Sequence, residues 1–308
     1  MWGSLRCLME RREFLKLIAL FGAGLSITDR FNTITDAAEI AIRPDLVVAH
    51  GALPERLVKA AIDAMGGIKK FISRGDVVVI KPNIGWDRTP EQAGCTNPDV
   101  VAAMVKLCLE AGAKKVKVFD RPVNDPRRCY VQSGIATAAR TAGAIVDYVD
   151  ERKFKETSIN GETLKSWPLY TDIFEADKLI NIPIAKHHGF SKLTLSMKNW
   201  MGMMGGPRNQ IHQKLDGSLV DLALKIRPTL TILDAVRILT ANGPQGGNLA
   251  DVKKLDMIIV GVDQVAVDSF GATLFGMKGS DLGWVKLGHA RGVGMMDLSK
   301  LKIKKLQV

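Results

Sequence analysis

Short apolar runs rich in β-branched residues alternate with stretches of helical periodicity along most of this 308-residue chain. Val77-Val78-Val79-Ile80 predicts a buried strand. Asn97-Pro98-Asp99 then supplies a cap, a proline at the first helical position and an acid in the first turn. A helix is expected from there to about residue 111, with Gly112 as its stop. A strand over 116–119, a helix over 132–142 and a strand over 144–149 continue the alternation. Strands separated by helices imply parallel pairing through right-handed crossovers. The expected fold class is therefore α/β, a mostly parallel sheet with flanking helices.

Residues 150–175 interrupt that rhythm. Asn160-Gly161 between short strand-like stretches predicts a hairpin against the edge of the main sheet. Beyond it a strand over 178–182, a helix over 191–201 and a helix over 218–226 are expected. Strands over 229–233 and 257–262 and a helix over 265–275 follow. Two closely packed lobes would divide near residue 175, although no Pro/Gly-rich linker marks the place.

The first residues belong to a different pattern. Arg11-Arg12-x-Phe14-Leu15-Lys16 precedes an uncharged, mostly apolar stretch over 17–28 and resembles a twin-arginine signal, with Glu10 where that signal usually has Ser or Thr. The stretch is shorter than the roughly 20 residues a membrane span needs. Residues 1–28 are thus set apart as a signal segment, 29–44 as a linker and 45–308 as the α/β domain. The resemblance implies export to the periplasm or another extracytoplasmic space. Gly24-Leu25-Ser26 offers small residues for cleavage, and an uncleaved segment would leave an N-terminal membrane association.

Charge adds a second constraint. Lys and Arg total 43 against 32 Asp and Glu, a formal +11, and residues 1–30 account for only two of those charges. The resulting field favours anionic partners, and the expected one is a small anionic ligand. Nucleic acid is not expected, because no basic stretch is interleaved with aromatics. Cys95, Cys108 and Cys129 form no C-x-x-C pair, so a cluster or zinc site built from local cysteines is disfavoured. Metal and cofactor are left unassigned.

Ligands of parallel sheets sit beyond the carboxyl ends of the strands. The predicted strands lead there into Lys81-Pro82-Asn83, Asp120-Arg121, Asn181-x-Pro183 with Lys186-His187-His188, Asp234 with Asn242-Gly243, and Asp263. A lysine after a strand also serves as a solvated group and an aspartate there as a helix cap, so the argument rests on their convergence. Lys81, Lys186 and Lys198 suit carboxylate or phosphate groups, and Asn83 and Asn199 suit a polar ligand. His188 and His212 suit proton transfer near neutral pH, and either could ligate a metal. Lys81 is grouped with these two histidines as catalytic. Asn83, Asp120, Lys186, Lys198, Asn199, Asn242, Gly243 and Asp263 are grouped as ligand-binding. The glycines after Gly243 could bring backbone amides to an anion, without the lysine and hydroxyl of a P-loop. The methionines between Lys198 and Gly206 suit core packing, soft copper or a mobile flap.

Several segments together resemble the domain of unknown function 362 family. They include Val78-x-Ile80-Lys81-Pro82-Asn83, Thr96-Asn97-Pro98, Ile182-Pro183-x-x-Lys186-x-His188, Leu195-Ser196-Met197-Lys198-Asn199, Asn242-Gly243-Pro244 and Asp263-x-x-Ala266-x-Asp268. The likeness runs over roughly residues 45–275. Some members carry ferredoxin-like cysteine clusters, which this chain lacks. The resemblance implies an α/β fold and one shared site, and leaves the activity open. The expected activity is anion or cofactor binding at the sheet rim, with an enzyme acting on that ligand as one outcome. A non-catalytic ligand or metal carrier, or a redox-associated protein without its own cluster, is the other.

Overall fold

The computed structural model describes residues 43–308, so the signal segment 1–28 and nearly all of the linker 29–44 lie outside the described residues. The chain opens with β1 (Leu46–His50), α1 (Pro54–Ala64), β2 (Val77–Pro82), α2 (Pro98–Glu110) and β3 (Lys115–Val118). Next come α3 (Pro126–Gln132), α4 (Ile135–Thr141), β4 (Ile145–Val146) and a hairpin of β5 (Phe154–Ser158) and β6 (Ser166–Tyr170). The middle holds α5 (Asp172–Glu175), β7 (Lys178–Ile182), β8 (Ile184–His188), β9 (Lys192–Thr194) and α6 (Ser196–Asn199). The last third is α7 (Leu215–Lys225), β10 (Leu230–Leu239), β11 (Val252–Gly261), α8 (Gln264–Thr273), α9 (Gly283–Ala290) and β12 (Ile303–Gln307).

The main sheet has the order β12-β1-β11-β10-β7-β2-β3-β4, with β8 continuing beside β10 and β9 beside β8. It runs straight across residue 175, since β2 pairs with β7, and residues 43–308 form one compact unit with no lobe division there. Along the main path the pairings leave β11 as the one strand running against the rest. The fold is thus a mostly parallel α/β sheet covered by helices on both faces.

Period-two alternation sorts side chains between those faces. Val78, Ile80, Ile180 and Ile182 pack with Val101 and Met104 of α2, while Val79 and Leu179 pack with Trp200, Leu219 and Val265 on the other face. The helix after Asn97 forms as its cap predicts, with the Asn97 side chain accepting from the Asp99 amide at 2.9 Å.

Three expected elements differ. The helix expected over 132–142 is confined to Ile135–Thr141, and a separate helix, Pro126–Gln132 capped by Asp125, precedes it across Ser133-Gly134. The β5–β6 hairpin forms, but as its own two-stranded sheet rather than an edge of the main one. In place of a helix over 191–201 the chain reverses through Lys192, at φ 64°, into β9, and only Ser196–Asn199 coils as a helix before a tight turn over Trp200–Met203. Such a reversal has no periodic signature. The methionines Met197, Met201, Met203 and Met204 are buried in the core, which is the packing role.

Candidate functional site

Alternation also decides where Lys81 points. It shares the face of Val79, in register with Asn181 on β7, and that face is covered by the turn over 196–203. The turn is pinned by Asp268 of α8, whose carboxylate accepts from the amides of Ser196 (2.6 Å) and Met197 (3.2 Å), the Ser196 hydroxyl (2.5 Å) and the Trp284 indole (3.0 Å). The anchoring presents Lys198 and Asn199 to the carboxyl ends of β2, β3 and β7.

A continuous chain of polar contacts results. Lys186 Nζ donates to Asn83 Oδ1 (2.9 Å) and the Gly94 carbonyl (2.6 Å), and Asn83 Nδ2 donates to Asn199 Oδ1 (3.1 Å). Asn199 Oδ1 also accepts from Lys81 Nζ (2.8 Å), while its Nδ2 donates to Asn181 Oδ1 (2.8 Å). Lys81 completes its set with the Pro82 carbonyl and with Asp120 Oδ1, both at 2.8 Å. Gly202 lets this pair form, because a Cβ there would collide with the Asp120 carboxylate and the Lys81 ammonium.

The network floors a cavity of about 430 Å³. Lys81, Asn83, Asp120, Lys186, His188, Lys198, Asn199 and His212 all line it, so eight of the eleven residues singled out in the sequence come together. Arg208 and Thr194 join them without having been anticipated. Arg208 follows a Gly-Gly-Pro segment with no periodic signal, and its guanidinium donates to the carbonyls of Arg121 (2.7 Å) and Pro122 (2.8 Å). Thr194 sits on the short β9, which was read as helix.

The remaining three lie elsewhere. Asp263 ends the reversed strand β11 and therefore reaches the opposite rim, where it caps α8 through the Ala266 amide and accepts from Met295. Asn242 is exposed and donates to Asp251 Oδ2 at 2.9 Å. The Gly243 amide is spent on His187 Nδ1 (3.1 Å), and the residue is glycine because a Cβ would strike the His187 carbonyl, so it offers no anion cradle. Asp234 is also off the cavity, accepting from the Asn97 and Val236 amides.

Counting protons sharpens the roles of the lining residues. All three Lys81 N–H groups are taken, so it positions Asp120 and Asn199 and has no donor left for catalysis on a ligand. Lys186 has one left. Lys198, 7% exposed, makes no hydrogen bond or ion pair among the described residues. Lys186, Lys198 and Arg208 have no carboxylate partner among them either. Burial, followed by the charges of Lys186 and Arg208, pushes the Lys198 amine down to about 7. Burial likewise brings Lys186 down to about 8, against the pull of Asp120.

The two histidines are complementary. His188 Nδ1 accepts from the amides of Phe190 (3.1 Å) and Ser191 (3.2 Å), and burial with the charge of Lys198 pushes the ring down to about 3. The ring is therefore neutral with its proton on Nε2. That makes it a hydrogen-bond donor to a ligand and removes it as a base. His212 is the reverse: Nδ1 donates to the Asn209 carbonyl (3.0 Å), leaving a lone pair on a buried, unpartnered Nε2. The rings stack with centroids 5.9 Å apart. Thr194 Oγ1 is a second buried atom of the wall without a partner.

Cys95, Cys108 and Cys129 are buried free thiols. Among the described residues no three His, Cys, Asp or Glu side chains cluster as a metal-ligand set, and no helix is long and apolar enough to cross a membrane.

The family described as Domain of unknown function (DUF362) matches residues 78–273, and the chain belongs to it. A thylakoid-associated protein of Synechocystis is 26% identical over 220 residues, 68% of this chain and 66% of that relative, just under two thirds of its length. Among solved structures, the lactate racemase apoprotein of Thermoanaerobacterium thermosaccharolyticum overlaps with a TM-score of 0.45 at 11% identity, covering 71% of this chain and 54% of that one. A Thermotoga maritima protein overlaps with a TM-score of 0.39 at 10% identity, covering 77% and 59%.

Proposed function

We propose that this member of the domain of unknown function 362 family binds a small anion in the cavity at the carboxyl ends of β2, β3 and β7, and does chemistry on it with His212. One observation carries the reading. Lys186, Lys198 and Arg208 line the cavity without a carboxylate partner among the described residues, and the single lining carboxylate, Asp120, is already paired with Lys81. Lys186 and Arg208, joined by Lys198 whenever it is protonated, put uncompensated positive charge at a half-closed site, which is costly unless a ligand supplies negative charge. His188 Nε2–H and the Thr194 hydroxyl add neutral donors, and the lone pair of His212 Nε2 gives the site a proton acceptor.

The test is thermal unfolding with acetate, glyoxylate or inorganic phosphate against chloride at constant ionic strength. A saturable rise in Tm for at least one anion, lost in Lys186→Met with Arg208→Gln, is the expected result. No saturable rise with any of them, or a rise that survives both substitutions, overturns the reading.

We also infer export by the twin-arginine route, on the strength of Arg11-Arg12-x-Phe14-Leu15-Lys16 and the apolar stretch after it, which lie outside the described residues. The name of the thylakoid-associated relative agrees with a destination at a membrane system. Replacing Arg11 and Arg12 by Lys should keep the chain in the cytoplasmic fraction. Unchanged fractionation would remove the inference.

A further inference from the structure

Three lysines reach the cavity, and one of them is unlike the others. Lys81 spends all three of its protons, and Lys186 two of three, on carbonyl, amide and carboxylate oxygens of the protein. Lys198 spends none, although it is buried and held by a helix turn that Asp268 anchors. A lysine whose only task is to be a charge gains from hydrogen-bond partners when it leaves water. A lysine kept apart from acceptors, beside Lys186 and Arg208, is instead in surroundings that favour the neutral amine. Its pKa near 7 leaves a large free-base fraction at neutral pH. A neutral buried amine next to other cations is the nucleophile that carbonyl chemistry requires. Two other residues lining the cavity carry unpartnered atoms, a proton acceptor at His212 Nε2 and a hydroxyl at Thr194 Oγ1, which are the kinds of group that imine formation uses.

We propose that Lys198 forms an imine with the carbonyl carbon of a small oxo-acid anion held in this cavity. The proposal rests on the anion reading above and adds the carbonyl group to it. Lys186 and Arg208 take the carboxylate, and His188 Nε2–H donates to the carbonyl oxygen. The Nζ lone pair forms the C–N bond as the carbonyl π pair moves to oxygen. His212 Nε2 takes one proton from nitrogen and hands it to the oxygen, giving a carbinolamine and restoring the neutral ring. The hydroxyl then leaves as the nitrogen lone pair forms C=N, and His212 passes the second nitrogen proton to it, so that it departs as water. Amine and carbonyl become imine and water, so no oxidant or reductant is consumed.

The experiment uses the full chain with glyoxylate, the smallest oxo acid, and sodium cyanoborohydride to fix any imine as a carboxymethyl amine, located by peptide mass spectrometry. Lys198 should label at least about tenfold faster than any other lysine at pH 7, because ordinary lysines near 10.4 are almost wholly protonated there. Its labelling rate should level off above the amine's own titration while the others keep rising. Labelling of Lys198 no faster than that of exposed lysines overturns the proposal. If glyoxylate alone raises Tm while Lys198 stays unlabelled, the imine fails and the anion reading stands. If glyoxylate neither stabilises nor labels, and acetate and phosphate are also without effect, both fail.

Discussion

Ser196 and Lys198 lie two residues apart in the same short helix, yet the polar groups around them are in opposite conditions. At the Ser196 end the Asp268 carboxylate, fully buried, receives hydrogen bonds from four donors. At the other end Lys198, almost as deeply buried, has no protein partner among those described. Burial alone does not separate the two. The state of their hydrogen bonds does, because a saturated buried charge is stabilised where it stands, while an unsaturated one is a cost borne by the fold. Asp221 repeats the saturated case, holding the 162–164 loop through three amides and pairing with Arg291 at 2.7 Å. The buried carboxylates of this chain build the scaffold, and the free donors gather at the cavity.

The contrast makes opposed predictions, of which removing Asp268 should have the largest effect. Asp268→Ala leaves two amides and an indole N–H buried without an acceptor and should cost roughly 3–5 kcal/mol in denaturant unfolding. A loss under about 1 kcal/mol would place Asp268 in the same class as Lys198. Gly202→Ala forces a methyl into the Lys81–Asp120 pair and should cost about 2–3 kcal/mol, with weaker anion binding. Unchanged affinity in that variant would show that the pair does not organise the cavity.

Lys198→Met should do the opposite and stabilise the protein at pH 6 while abolishing imine labelling. The sign follows from proton linkage. The folded amine titrates near 7 and the unfolded one near its ordinary 10.5, so the unfolded state binds more protons between those values. Wild-type stability should therefore gain from this group as pH rises through that window, and the variant should lack that gain. Its advantage should be full below pH 7 and gone near 10.5, which urea titrations at three pH values would measure. Smallest of all, Asn242→Ala should cost only about 1 kcal/mol, from the left-handed φ of 52° that alanine tolerates less well, and leave anion binding intact.

Much of the sheet and of the cavity's rim was legible in the sequence. Parallel strands buried on both faces announce themselves as β-branched runs, and their carboxyl ends name Lys81, Asn83, Asp120 and Lys186 by position alone. Strand direction is what the sequence hides. The apolar residues of β11 are no different in kind from those of β10, yet reversal carries Asp263 to the far rim, while Asp234 sits too early in the longer β10 to reach the near one. Hydrogen-bond saturation is equally invisible in sequence. Nothing at Lys81 distinguishes it from Lys198 until Asp120, Asn199 and the Pro82 carbonyl are seen to use up its protons. Arg208 and Thr194 escaped because a turn and a three-residue strand leave no periodic trace.

The polar chain under the cavity has a bearing on how the protein is made. Its links join residues 118 and 103 positions apart, from Lys81 to Asn199 and from Lys186 to Asn83. Contacts of such long range form late, after the intervening chain has been ordered. A growing chain that stops before Asn199 owns the Lys81–Asp120 pair and the Lys186–Asn83 link but not the side chain that joins the two, and it lacks Arg208 and His212 as well, so fragments of the fold should hold no complete pocket. If the pocket captures an anion as proposed, its occupancy would therefore report that the chain has been made and folded at least as far as His212.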